Sequence, residues 1–135
     1  MAKENPKTCE TEFSVRDYEL DSQGVVNNAT YQNYLEHARH EFLKFIGLNF
    51  NDLHEKGTDP VVHKAELEYK RSLQGDDRFV VRTWAEQQGN VRFVFHQNIY
   101  RLPNEELILV GKITGVFMQN GRPIRPPKEV VDALL

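Results

Sequence analysis

Residues 21–47 read DSQGVVNNATYQNYLEHARHEFLKFIG, and the fold turns on this stretch. Its first part, Asp21-Ser22-Gln23-Gly24-Val25-Val26-Asn27-Asn28, is a loop by its Gly and Asn content. Its second part is a helix. Tyr31, Tyr34, Leu35, Ala38, Phe42, Phe45 and Ile46 recur at helical spacing and draw one apolar stripe over about four turns. Asn28 is placed to cap the helix and Gly47 to stop it. A helix with one apolar stripe must bury it against another element.

The flanking sequence supplies a sheet. Upstream, residues 12–16 alternate, with Phe13 and Val15 against Glu12, Ser14 and Arg16, the period of a half-buried strand. Downstream, residues 49–57 read as a short helix ending at Gly57. Val61, His63, Ala65, Leu67 and Tyr69 then alternate with Val62, Lys64, Glu66, Glu68 and Lys70. Residues 78–87 and 91–101 are two further strands, and Gly89-Asn90 suits the tight turn between them. After a turn at Leu102-Pro103-Asn104-Glu105, residues 106–118 form an almost continuous apolar run, as in a strand covered on both sides. Pro123, Pro126 and Pro127 are expected to end the sheet, with a helical turn or two over 128–134. The order predicts an α+β fold, a long central helix wrapped by a five-stranded antiparallel sheet, as one domain over 1–135 with its core at 11–127. An open sheet leaves an edge strand, and pairing it across a two-fold predicts a homodimer or homotetramer.

Composition narrows the partners. Seventeen Lys and Arg against 20 Asp and Glu give a net charge of -3, without the basic excess of a nucleic-acid binder. One cysteine, Cys9, leaves no internal disulfide and fits a reducing compartment; a plain thiol is the simpler reading of it. Residues 1–10 do not resemble a signal peptide, and no run approaches the roughly 20 apolar residues of a membrane span. The Asn28-Ala29-Thr30 sequon is therefore read as accidental and the protein as cytoplasmic.

The chemistry points to the loop. A carboxylate at Asp21 precedes a helix whose first N–H groups have no internal partner and whose dipole is positive at that end. Such N–H groups can hold a developing oxyanion while the carboxylate attacks a carbonyl or activates water. The alternative reading of Asp21 is a turn former. His37, His40 and Glu41 lack the zincin order, and on a helix they read as a solvated face with His40 turned away from the apolar stripe. His63 and His96 read as hydrogen-bonded strand residues. Neither a metal nor a cofactor is expected.

The run RDYELDSQGVVNNATYQNY (residues 16–34), continued by Leu35-Glu36 and Arg39, resembles the signature of the 4-hydroxybenzoyl-CoA-thioesterase-like hot-dog family. With HEFLKFIG (40–47), LPNEELIL (102–109) and RPIRPP (122–127), it is most similar to the acyl-lipid thioesterases of plant plastids and their bacterial relatives, although no transit peptide is seen here. The resemblance implies the hot-dog fold, a dimer or dimer of dimers, and active sites at the subunit interface. It implies that Asp21 is the catalytic carboxylate, Gly24 the loop glycine, Asn28 the N–H donor to the thioester carbonyl, and Glu36 a second polar residue near the site. Two positions depart from the pattern: Val25 stands where many members carry His, and Ser72 replaces a proline in Tyr69–Asp76.

The expected activity is hydrolysis of a fatty-acyl-CoA or acyl-carrier-protein thioester. Tyr31, Tyr34, Phe93 and Phe95 would wall the acyl channel. Lys70 and Arg71 come first among cations for the phosphates of the donor, ahead of Arg92, Arg101, Arg122 and Arg125. A hydroxyacyl dehydratase of the same fold needs a His in the loop or helix start, and residues 1–36 contain none. A non-catalytic acyl-binding protein of the same fold is the other alternative.

Overall fold

A computed structural model describes residues 7–134; the six residues before Lys7, and Leu135, lie outside the described residues, and with them most of the stretch read for a signal peptide. In chain order the elements are β1 (Cys9–Ser14), a 3-10 turn (Asp17–Glu19), α1 (Asn28–Phe45), α2 (Phe50–Glu55), β2 (Asp59–Tyr69), β3 (Arg78–Gln88), β4 (Arg92–Arg101), β5 (Glu106–Gln119), β6 (Arg122–Ile124) and α3 (Lys128–Leu134). The sheet is antiparallel in the order β1-β3-β4-β5-β2, with β6 added to β5. α1 lies on its inner face, so the α+β hot-dog arrangement holds.

The apolar stripe explains the packing. Tyr31, Tyr34, Leu35, Ala38, Phe42 and Leu43 of α1 are buried. They meet Phe79 and Val81 of β3, Phe93, Phe95 and Ile99 of β4, and Ile113 and Phe117 of β5 in one core. Each fully buried side chain of this size contributes about 1.5–3 kcal/mol relative to exposure. Two glycines on the inner face of β5 allow the close approach. A Cβ on Gly111 would sit 3.4 Å from Leu35 Cδ1, and one on Gly115 would sit 2.6 Å from Phe93 Cζ.

Several expectations need correction. Asn27, not Asn28, is the N-cap: it is extended, and its side chain accepts from the Ala29 N–H at 3.1 Å, so Asn28 is the first helical residue. Phe45, assigned to the stripe, is 55% exposed, touching Phe42 at the stripe's edge, and Leu43 is buried instead. Gly47 does stop the helix, at φ 89°. The first strand lies earlier than 12–16, at Cys9–Ser14, and Val15 follows it with an N–H bond to the Asp77 carbonyl at 2.8 Å. Pro123 does not end the sheet. Asn120 (φ 52°) and Gly121 (φ 75°) form a tight hairpin turn, and β6 returns along β5 at an edge where proline is tolerated.

β2 departs most from its expected pattern. A bulge between Val62 and Lys64 interrupts the ladder. Val62 pairs with Gly115, and beyond the bulge Ala65 pairs with Ile113 and Leu67 with Gly111. Paired residues share a face, so Val62, Ala65 and Leu67 lie on one side, and Val61 and His63 leave the alternation expected of them. β2 is also the sheet edge, and Val61, Val62 and Tyr69 stand 45%, 50% and 48% exposed.

Candidate active site

The loop before α1 is built by its own polar groups. Asp21 Oδ1 accepts from the Gln23 N–H at 2.8 Å and the Val25 N–H at 3.3 Å. The Asp21 N–H donates to the Val25 carbonyl at 2.8 Å, and Gly24 N–H to the Asp21 carbonyl at 3.1 Å. Gly24 carries φ 80°, the left-handed conformation that favours glycine. Asp21 and Gly24 are exposed, and among the described residues no hydrogen bond reaches Asp21 Oδ2. The geometry thus fixes one carboxylate oxygen and leaves the other to act.

Backbone bonds moor this loop. Val26 N–H donates to the Leu73 carbonyl at 2.9 Å, Val25 bridges Gln74, and Asn27 N–H donates to the Glu19 carbonyl at 3.0 Å. Asn28 follows as the first helical residue, its N–H among those left without an intrahelical acceptor. The carboxylate loop and the positive end of α1 are therefore consecutive.

The two tyrosines serve this framework. The Tyr31 hydroxyl accepts from the Leu73 N–H at 3.0 Å, and the Tyr34 hydroxyl donates to Glu19 Oε1 at 2.8 Å. Both rings are buried among Phe13, Tyr69 and Phe79. Burial raises both phenol pKa values, and for Tyr34 the bond to Glu19 adds to the rise. Tyr31 and Tyr34, expected in the acyl wall, are buried in the core on the first turns of α1 and are not among the residues lining the apolar cavity farther along the helix.

An apolar cavity of about 140 Å³ opens along the second half of α1. Phe42, Ile46, Phe93, Phe95, Phe117 and Val130 are among its wall, so the strand aromatics Phe93 and Phe95 line an apolar cavity. Glu36, Arg39 and His40 border it on the helix side, and Pro60, Val61 and Val62 on the β2 edge. His40, expected to face away, borders the cavity, because the wall continues past the stripe. Burial lowers its pKa, opposed by the Glu36 charge. Along α1, Asn28 and Glu36 are about 12 Å apart at the helical rise, so in one chain Asp21 and the cavity belong to different halves of the helix.

Lys70 and Arg71, expected at the phosphates of the donor, are exposed, and each has a carboxylate partner. Lys70 Nζ pairs with Glu68 at 3.0 Å, and Arg71 Nε with Glu106 at 2.7 Å. Arg101 is held by Asp77 and Glu106. His96 stacks on Trp84 with centroids 5.3 Å apart, and its Nε2 lies 3.4 Å from Glu86, while His63 is exposed beside the bulge.

Sequence reasoning missed a polar group beneath the cavity. Gln97, fully buried, donates from Nε2 to the Leu35 carbonyl at 2.9 Å and to Thr83 Oγ1 at 3.1 Å. Its Oε1 accepts from Arg39 Nη1 at 3.1 Å. Burial lowers the Arg39 pKa, and Glu36 works against that. The signal was present: Phe93, Phe95, Gln97 and Ile99 alternate, and one of these inward positions is an amide.

Comparisons with known proteins bear on the family and the fold. The profile of the Thioesterase-like superfamily matches residues 15–134. A chloroplastic acyl-acyl carrier protein thioesterase of Arabidopsis thaliana is 44% identical over 122 residues, 90% of this chain, and the chain spans 65% of that protein's length. An acyl-CoA thioesterase of Haemophilus influenzae is 30% identical over 87% of this chain and 89% of its own length. The 4-hydroxybenzoyl CoA thioesterase of Pseudomonas sp. strain CBS-3 superposes with a TM-score of 0.85 at 18% identity, covering 93% of this chain and 98% of that one, a likeness of fold. With a carboxylate loop running into the central helix and a match across nearly the whole chain, the protein belongs to the thioesterase-like superfamily.

Proposed function

We propose that this protein is an acyl thioesterase that hydrolyses fatty-acyl-CoA or acyl-carrier-protein thioesters to the free acid and thiol. The observation that carries the proposal is Asp21, pinned through Oδ1 by two backbone N–H groups at the entrance to α1. In this reading the ionised carboxylate either attacks the thioester carbonyl or takes a proton from the attacking water, and the Asn28 N–H stabilises the oxyanion. Gly24 keeps the loop compact enough for both groups to meet one carbonyl.

The fatty-acyl preference rests on the apolar cavity walled by Phe42, Phe93, Phe95 and Phe117. Because that cavity and Asp21 belong to different halves of α1, the complete site is assigned to a homodimer or homotetramer, with one subunit's Asp21 serving a neighbour's cavity. The exposed β2 edge, with Val61 and Val62 at the cavity border, supports pairing there. Glu36, at the cavity border, takes a supporting polar role. A buried unpaired thiol at Cys9 suits a reducing compartment such as the cytoplasm, and among the described residues no helix is long and apolar enough to cross a membrane.

The test is Asp21→Asn, assayed on a panel of short- to long-chain acyl-CoAs and matched carrier-protein thioesters. Asn keeps the Oδ1 acceptor for Gln23 and Val25 but removes the charge, so turnover falls by about 10² to 10⁴ with little change in affinity. Glu36→Gln loses less. A second reading, acyl binding without chemistry, draws on the same bonds, since an aspartate that caps its own turn needs no reaction. Near wild-type hydrolysis by folded, oligomeric Asp21→Asn would remove the catalytic assignment.

A further inference from the structure

We infer that Arg101 is a positioning residue for the Asp21 loop, acting through the turn at residues 72–77; the inference rests on the catalytic reading of Asp21. Arg101 closes β4, and its guanidinium reaches three acceptors on two other segments. Nη1 donates to the Ser72 carbonyl and to Asp77 Oδ2, each at 3.1 Å, and Nε donates to Glu106 Oε1 at 3.1 Å. Nη2 also donates to Glu106 Oε1.

From there the path to the loop alternates hydrogen bonds with single peptide steps. Asp77 Oδ2, held by Arg101, accepts the Gln74 N–H at 2.8 Å. Gln74 bridges Val25, and the Leu73 carbonyl receives the Val26 N–H at 2.9 Å. Val25 in turn accepts from the Asp21 N–H and donates to its carboxylate. Arg101 and Asp77 thus hold Gln74, the adjoining Leu73 holds Val26, and the adjoining Val25 holds Asp21, a path of hydrogen bonds joined by two peptide links from the end of a sheet strand to the reacting carboxylate.

Arginine suits this post. Its planar fork serves a carbonyl and two carboxylates at once, while a lysine offers one compact charge that cannot span them. The arginine side chain is 25% exposed and Asp77 23%, so water only partly replaces it. Without the guanidinium, Asp77 and the Ser72 carbonyl lose their partner, and the turn at Leu73 and Gln74 is held more loosely, by the Tyr31 hydroxyl and its own backbone bonds. A drift of about 1 Å at a reacting group changes rate by about 10²-fold.

The experiment compares Arg101→Met, Arg101→Lys and Asp21→Asn on a saturating acyl-CoA, with amide hydrogen exchange on the wild type and both Arg101 variants. The expected result for Arg101→Met is a fall in kcat of about 10- to 100-fold with KM within about threefold. Exchange should quicken at Val25, Val26 and Gln74 while the β3 and β4 amides stay protected. Arg101→Lys should restore part of kcat and part of that protection. Wild-type kcat in Arg101→Met overturns the inference. So does a loss of kcat accompanied by faster exchange throughout the sheet, which marks a merely structural residue. If Arg101→Met does not fold, Arg101→Lys is judged by the same kcat, KM and exchange criteria. Full activity in Asp21→Asn would instead overturn the catalytic reading, whatever Arg101 does.

Discussion

Replacing Gln97 with Met should separate the helix from the sheet energetically without changing side-chain length. The amide makes three bonds in the core: to the Leu35 carbonyl of α1, to Thr83 of β3 and from Arg39 of α1. The two neutral bonds contribute about 1 kcal/mol each, and the one from the guanidinium about 1.5–3 kcal/mol. Met returns about 1 kcal/mol through its apolar surface. The net loss is about 2.5–4 kcal/mol, a large fraction of the about 5–15 kcal/mol typical of a domain. For 135 residues the unfolding entropy is about 0.28 kcal/mol/K, so the melting temperature should fall by about 9–14 °C. Chemical and thermal denaturation at one fixed protein concentration measures it, since oligomerisation shifts apparent stability. Thr83→Val, which removes a single bond, should lose only about 1 kcal/mol. The double variant Gln97→Met with Arg39→Met should lose less than the sum of the singles. A Gln97→Met loss below about 1 kcal/mol, or strict additivity with Arg39→Met, would refute the idea that this amide ties α1 to the sheet.

Gly115→Ala would place a methyl carbon 2.6 Å from Phe93 Cζ and 3.0 Å from the Val61 carbonyl, so the ring must turn into the cavity. The chain-length optimum should move to shorter acyl groups at about 1–3 kcal/mol in stability, and an unchanged chain-length profile would contradict it. His54 Nδ1 lies 2.7 Å from Asp59 Oδ1, and this bond raises the imidazole pKa. The sign follows: the pair stabilises the fold below the unfolded value near 6.5 and stops doing so as pH rises through the folded value. NMR titration should place His54 above 6.5, and Asp59→Asn should bring it back; equal pKa values in both proteins would refute the pairing. Sedimentation at micromolar concentration should give a dimer or tetramer, and a stable, fully active monomer would count against the shared site.

Helix α1 was legible because a stripe at Tyr31, Leu35, Ala38 and Phe42 is a local pattern that only a helix can bury on one side. β3 and β4 were legible as two strand segments whose pairing the Gly89-Asn90 turn set, and β5 as an almost continuous apolar run. Asp21 and Gly24 stood out because turn chemistry is written in consecutive residues. What tertiary structure alone decided are relations between distant residues. A single-residue bulge at His63 changed which β2 side chains share a face, and nothing local in the sequence marks it. The carboxylate partner of Arg71, Glu106, was likewise set by the packing of β2 against β5. Tyr31 and Tyr34 look like pocket aromatics along the helix, yet partners at Leu73 and Glu19 draw both hydroxyls into the frame of the loop. Gln97 could be recognised as out of place in its strand, but its three partners come from positions 35, 39 and 83, brought together only by packing α1 onto the sheet.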